Sequence, residues 1–361
     1  MASPITIICL VLIILSNTVP GECGFLPLAP ALYVFGDSIV DNGNNNYLIT
    51  LAKANYRPYG YNFDQSRPTG RFTNGKTVAD FIAEYLRLPY PPPYKSLLIK
   101  ENSVKGYNYA SGSCGILPKT GSLQGHCLSL DEQIILFAEM LTTILAPNLH
   151  HQLSQHLAES IFLFVVGNND YLDTYSDSDS DSSESYDPHQ FAQSLIQSLS
   201  EKLQKLYELG GRKVMVSDIG PLGCVPSVIR RSKTNGTCDE NLNKRVIIFN
   251  NQLASMLKNL TFTLKGSHFV FIQSHSIIYD TILNPTNYGL SDSKSSCCET
   301  GAEVAGTATC IIGLPPCPYP NSHFFWDEVH PTEAVYSMSA SRIINGSSPF
   351  FPMNLEQLLQ A

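Results

Sequence analysis

The chain has 361 residues, of which 43% are hydrophobic and 10% aromatic, so it can form at least one sizeable core. Its formal net charge is −8 and no basic run occurs, which argues against a nucleic-acid partner because phosphate binding needs clustered Lys and Arg. The net negative charge itself is accounted for by its contribution to the solubility of the protein.

Residues 1–23 have the pattern of a secretory signal peptide. Ile5 to Leu15 form an apolar run too short to span a membrane, and Gly21 and Cys23 offer small residues for cleavage. No second apolar run of spanning length follows. We therefore expect a secreted protein without stable membrane insertion, in which residues 24–361 form a single domain.

Helices and strands alternate along this domain. In chain order, the patterns predict a strand at 31–35, a helix at 78–86, a weaker strand near 104–110, a helix from the capping box Ser129-Leu-Asp-Glu132 and a strand at 161–166. They then predict a helix from Asp187-Pro188 that stops at Gly210, a strand at 213–217, a helix from Asp239 to Met256, a strand at 268–272 and a helix that starts at Pro331 and ends before Gly346. The 161–166 strand is apolar on both faces, as a central parallel strand covered by helices must be. This alternation predicts one doubly wound α/β domain with about five parallel strands.

An acidic, serine-rich stretch at 176–185 interrupts this order. It has too few apolar residues to be buried, so we expect a solvated surface insertion.

Cysteine usage supports a secreted protein. Ten cysteines are present, and Cys9 and Cys23 lie in or beside the signal segment. The other eight form an even set, which in a secreted chain indicates disulfides. We expect the local pairs Cys114–Cys127 and Cys224–Cys238.

The last four cysteines are expected to pair among themselves; they are Cys297, Cys298, Cys310 and Cys317. A zinc site is the alternative, but the adjacent first two and the wide later spacing fit no common zinc pattern. Three N-glycosylation sequons, at Asn235, Asn259 and Asn345, are consistent with secretion.

Three of the predicted strands end in small or amide-rich loops, Gly36-Asp37-Ser38, residues 108–112 and residues 167–170. Because the carboxyl ends of parallel strands lie at one edge of a sheet, these loops should converge. Each loop alone has a structural explanation, since Gly-Asp-Ser is a common turn and a loop Asn often caps its own backbone.

Together with Asp327 and His330 before the last helix, these loops contain the groups that acyl transfer needs. Ser38 is the candidate nucleophile, His330 the base and Asp327 the orienting acid. The amides of Ser38 and Gly112 and the side chain of Asn169 are the candidate oxyanion donors. No metal or other cofactor is required.

These segments resemble the plant GDSL esterase/lipases of the SGNH-hydrolase superfamily. The resemblance rests on residues 35–46, 67–75, 108–112, 129–133, 166–171 and 325–332. It implies a three-layer α/β/α, flavodoxin-like SGNH-hydrolase fold and the same roles for Ser38, Gly112, Asn169, Asp327 and His330. Ile39 replaces the leucine of the family name. The second block reads Ser-Gly-Ser-Cys-Gly from Ser111 instead of Ser-Gly-Gly-Ala-Gly, which leaves Gly112 or a neighbouring amide as the donor.

The hypothesis is a secreted serine esterase or lipase, of the cell wall or apoplast, that cleaves small-molecule carboxylic esters. Lipid, acylated polysaccharide and phenolic esters all stay open as substrates, and the sequence predicts no oligomeric state. One alternative is an acyltransferase that passes the acyl group to an alcohol. An alternative of another class is a non-catalytic secreted binding or defence-associated protein with the same fold.

Overall fold

The computed structural model describes residues 26–98, 103–177, 187–232, 234–301, 309–346 and 350–361. The predicted signal segment and residues 178–185 of the predicted insertion lie outside these ranges. No helix in the described ranges is both long enough and apolar enough to cross a membrane.

A five-stranded sheet forms the centre of the fold, in the order β1-β2-β3-β4-β7. Its strands are β1 Leu32–Gly36, β2 Ile161–Val165, β3 Lys213–Ser217, β4 His268–Ile272 and β7 Phe350–Phe351. The first four are parallel, and β7 runs antiparallel to β4. Two further strands, β5 Asp292–Ser296 and β6 His323–Phe325, form a separate parallel pair.

The predicted strand near 104–110 is an irregular extended segment beside β1. It runs parallel to β1, and the N–H of Val34 donates to Tyr107 O at 3.0 Å while the N–H of Tyr109 donates back to Val34 O at 2.8 Å. Its outer side meets the 91–93 proline stretch, which has no N–H groups to continue a ladder. The extended segment lies on one side of β1 and β2 lies on the other, so the connections that follow β1 go to opposite sides of it. In open α/β sheets such a switch point is where ligands bind.

Helices cover both faces of the sheet, which confirms the three-layer α/β/α prediction. The described helices are α1 Val78–Tyr85, α2 Leu130–Met140, α3 Ala146–Leu149, α4 Leu153–Glu159, α5 Asn168–Asp177, α6 Pro188–Glu208, α7 Pro226–Arg231, α8 Glu240–Thr263, α9 Ser274–Leu283, α10 Glu333–Asn345 and α11 Leu355–Gln360. One core joins α2, α6 and α8 to the sheet, and the other joins α1, α10 and α11 to its opposite face.

The predicted helix start at Ser129 is confirmed by its cap. The Ser129 hydroxyl accepts from the Glu132 N–H, and the Glu132 carboxylate accepts from the Ser129 N–H, as a capping box requires. Helix α10 begins at Glu333, two residues later than Pro331. The reason is that Pro331 forms an antiparallel bridge to β6, and the N–H of Thr332 donates to Phe324 O at 2.9 Å.

The described residues form four disulfides, which confirm the local pairs Cys114–Cys127 and Cys224–Cys238. The C-terminal cysteines pair as Cys297–Cys317 and Cys298–Cys310. These four sulfurs therefore do not offer the thiolates that a zinc site needs. Disulfides on this scale fit an extracellular protein.

The three sequon asparagines, Asn235, Asn259 and Asn345, are all exposed. A glycan could be attached at each without disturbing the core, so the predicted glycosylation sites stay sterically open.

A half-buried histidine at the edge of the sheet opposite the strands' carboxyl ends should make stability depend on pH. His156 contacts the hydroxyl of Tyr33 through Nε2 at 3.2 Å. Burial, and after it the charge of Lys105, lower the pKa of His156 from 6.5 to about 4. The unfolded chain therefore takes up a proton between these two pH values while the folded chain does not, so stability is lost as pH falls through this window.

We expect the stability advantage of the wild type over His156→Gln to shrink between pH 7.5 and pH 4.5, by on the order of 1 kcal/mol for a partly exposed ring. Urea denaturation of both proteins at the two pH values measures this difference. An advantage that stays constant with pH would contradict the assignment.

Candidate active site

The proposed nucleophile lies in a tight turn at the carboxyl end of β1. Gly36 ends the strand with φ 149°, and a Cβ there would lie 2.0 Å from Val165 O of β2. Only glycine permits this approach. The N–H of Asp37 then donates to Val165 O at 3.0 Å, and the N–H of Val40 donates to Asp37 O at 3.3 Å. These contacts hold Ser38 at the edge of the sheet.

Helix α2 fixes the same strand end through one buried amide. The Gln133 side chain accepts from the N–H of Gly36 at 2.8 Å and donates to its carbonyl at 2.9 Å. A second donation, to Leu128 O at 2.8 Å, orients the amide. The capped helix and the nucleophile turn are thus one rigid unit.

The structure brings Ser38, His330 and Asp327 into a continuous hydrogen-bonded chain. His330 Nε2 lies 2.8 Å from Ser38 Oγ, and His330 Nδ1 lies 2.8 Å from each carboxylate oxygen of Asp327. All three residues are buried. This is the contact pattern of a nucleophile, a base and an orienting acid.

Asp327 is held in its charged form by its surroundings. Burial alone would raise the pKa of Asp327, but the charge of His330 and hydrogen bonds from His330 and Val329 outweigh it, so the pKa is lowered from 3.8. The N–H groups of Val329 and His330 donate to Oδ1 at 3.0 and 2.8 Å. A charged Asp327 can stabilise an imidazolium at His330.

Two aromatic residues that the sequence analysis did not single out support this pair. The Tyr59 hydroxyl donates to Asp327 Oδ2 at 2.7 Å and is fully buried. The ring of Phe72 lies 5.1 Å from the imidazole of His330. Phe72 lies in residues 67–75, one of the segments on which the family resemblance rests. No sequence pattern around Tyr59 indicates that its hydroxyl bonds to Asp327.

Tyr59 should act as a positioning residue for the acid. We expect Tyr59→Phe to lower kcat about tenfold with little change in KM, because the carboxylate loses a donor worth about 1.5–3 kcal/mol but keeps its bonds to His330. Steady-state kinetics with a p-nitrophenyl ester test this.

Tyr33→Phe is the matched control, because Tyr33 is also a buried tyrosine but its hydroxyl contacts His156 at 3.2 Å rather than the triad. Equal losses of kcat in both variants would show that Tyr59 acts only through packing.

The candidate oxyanion donors differ in how their N–H groups are used. The Asn169 amide donates to Cys114 O at 2.8 Å, and an amide nitrogen carries a second proton. The Ser38 N–H has no acceptor among the described residues. The Gly112 N–H donates to the Asp41 carboxylate at 3.0 Å.

The neighbour of Gly112 offers a further amide. Ser113 stands in the left-handed region with φ 68°, and within the described ranges its N–H has no acceptor. Asp41, buried beside this loop, also accepts from the N–H groups of Gly43 and Asn44. Burial raises the pKa of Asp41 to about 6 against the effect of these hydrogen bonds.

The Asp170 side chain holds the loop at residues 116–120 next to Asn169. Its carboxylate accepts from the N–H groups of Ile116 and Leu117 at 2.8 and 3.0 Å, and from the Thr120 hydroxyl at 2.7 Å. Burial raises the pKa of Asp170 to about 6 in spite of these bonds. Asn168 and Asn169, expected in a loop, form the first turn of α5, so a helix and this carboxylate together fix the Asn169 amide.

The chain is similar to known proteins along nearly its whole length. The family model for GDSL-like lipase/acylhydrolase matches residues 32–343. The chain is 40% identical to GDSL esterase/lipase 7 of Arabidopsis thaliana over 360 residues, which cover 98% of each protein. It is 39% identical to GDSL esterase/lipase At5g08460 of the same plant, over 91% of this chain and 87% of that protein.

Proposed function

The chain belongs to the GDSL-like lipase/acylhydrolase family and is an ester-bond hydrolase, and from this premise we propose that it is a secreted esterase or lipase that works through an acyl-enzyme on Ser38. The observation that carries the proposal is the 2.8 Å contact between Ser38 Oγ and His330 Nε2, continued at 2.8 Å to Asp327.

In the proposed reaction, Ser38 Oγ attacks the ester carbonyl as His330 Nε2 takes its proton. Asp327 holds the imidazole with Nδ1 protonated and stabilises the imidazolium that forms. His330 then protonates the leaving alcohol. A water molecule, activated by the same histidine, releases the acid and restores Ser38.

The negative charge on the carbonyl oxygen needs donors that are in place before the reaction. We assign this role to the Ser38 N–H and the free amide proton of Asn169. The third donor is Gly112, whose N–H would have to share its bond to Asp41, or the adjoining N–H of Ser113.

Secretion is supported by the four disulfides and by the exposed sequons.

The same acyl-enzyme would also react with an alcohol in place of water, so product analysis with glycerol present separates hydrolysis from acyl transfer.

Labelling with a fluorophosphonate probe tests the proposal directly. We expect the probe to modify the folded enzyme at Ser38, identified by mass spectrometry of the labelled peptide, and to block turnover of p-nitrophenyl butyrate in proportion. Full labelling at another serine, or inhibition without labelling, would refute the assignment.

A further inference from the structure

A narrow cavity of about 100 Å³ opens beside Ser38 and Asn169. This volume is well below the roughly 300–1,000 Å³ of a site for a drug-sized ligand. It therefore suits a single unbranched chain rather than a sugar, a ring system or a whole glycerolipid.

The cavity runs between the sheet and helix α10, and its walls are apolar. Leu163 and Val165 of β2 line the sheet side. Val335, Ser339 and Ile343 line the helix side, and their spacing of four residues places them on one face of α10. Eight residues of helix span about 12 Å, so the cavity follows α10 for about that length.

Apart from Ser339 on the helix wall, the polar side chains that line the cavity include a group at its catalytic end. Ser217, Asp218 and Ser274 lie at the carboxyl ends of β3 and β4, the same sheet edge as Ser38. They are already paired, since the two serine hydroxyls lie 2.8 Å apart and Asp218 accepts from the His275 N–H at 2.9 Å.

The buried Tyr336 also lines the cavity. Burial, and then the charges of Asp327 and Asp37, raise the pKa of its hydroxyl. The part of the cavity that lies toward Leu163 and Ile343 has apolar walls.

We propose that this slot binds the acyl chain of the substrate, and that the enzyme acts on esters of linear, apolar acids of short to medium length. The proposal rests on the proposed function, because Ser38 must carry the acyl group. Ser38 and Asn169 line the slot, whereas His330, which would protonate the departing alcohol, does not. The acyl side of the ester therefore faces the slot.

Ser339 offers a sharp test because it is a small, half-buried residue midway along the helix wall. Ser339→Phe should fill the slot, and Ser337→Phe is the matched control, because Ser337 is exposed on the same helix and does not line the slot. We expect Ser339→Phe to lower kcat/KM for p-nitrophenyl octanoate about tenfold or more, and for the acetate less than about threefold. Ser337→Phe should keep both values. If Ser339→Phe fails to fold, Ser339→Leu gives the same comparison with a smaller side chain.

A second substrate series distinguishes the acyl chain from the alcohol. With methyl and octyl acetate, Ser339→Phe should leave the ratio of kcat/KM values unchanged. A lower kcat/KM for octyl acetate but not for p-nitrophenyl octanoate would show that the slot holds the alcohol. An equal decrease in kcat/KM for all the esters would show that the slot holds neither the acyl chain nor the alcohol. Either of these two results would overturn the proposal for the slot. The Ser38→Ala variant tests the proposed function separately: an inactive variant leaves that function intact, and an active one contradicts it.

Discussion

Ser38→Ala should lower kcat for p-nitrophenyl butyrate by a factor on the order of 10⁶, the size of effect seen when a catalytic serine is removed from a hydrolase triad. The alanine cannot form the acyl-enzyme, and His330 Nε2 loses its partner at 2.8 Å. The fold should survive, because the turn around Ser38 is held by backbone contacts and by Gln133 rather than by the serine hydroxyl. Initial rates and thermal unfolding measure the two properties separately.

Ser160→Ala is the matched control. Ser160 is also buried, but it lies before β2 at the opposite edge of the sheet, where its hydroxyl donates to His156 O at 2.6 Å. Its kcat should stay within about threefold of the wild type, as expected for a site outside the catalytic machinery. Retained turnover in a folded Ser38→Ala enzyme would overturn the assignment of the nucleophile.

Asp327→Asn should lower kcat by about 10⁴-fold while keeping the geometry. An amide in this position can donate to His330 Nδ1, so the imidazole would carry its proton on Nε2 and could not accept one from Ser38. KM should change little, because Asp327 faces the histidine and the Tyr59 hydroxyl rather than the slot. Fluorophosphonate labelling should slow by a similar factor.

Glu328→Gln is the control for this second variant. Glu328 is a buried carboxylate next in sequence, but it accepts from the Thr300 hydroxyl at 2.7 Å and pairs with Arg230 at 2.5 Å instead of His330. If both variants lost activity equally, the role of Asp327 would be structural support of the turn. A loss confined to Asp327→Asn, with unchanged unfolding, would establish it as the orienting acid.

The sequence predicted those parts of the molecule that depend on local patterns. Hydrophobic periodicity and caps such as Ser129 and Asp187 identified the principal helices, and apolar runs identified the four parallel strands. The convergence of Ser38 and Asn169 followed from topology alone, because parallel strands end at one edge.

What the sequence did not predict depends on contacts between distant segments. The bond from Tyr59 to Asp327 joins residues 268 positions apart, and no local pattern marks a tyrosine whose hydroxyl will be buried on a carboxylate. The bond from Gly112 to Asp41 is similar, since a motif cannot show that an N–H is already occupied. The apolar slot is also invisible in sequence, because its walls combine residues of the sheet and of the last long helix with loop residues such as Pro221 and Val329.

The two C-terminal disulfides have a consequence for when the enzyme becomes active. The N–H groups of Cys297 and Cys298 donate to Phe325 O and Trp326 O, immediately before Asp327, and the Cys310 N–H donates to the Tyr59 hydroxyl. A reduced chain could assemble the sheet that carries Ser38 while the acid still lacked its scaffold, so ester cleavage would begin only once these disulfides have formed.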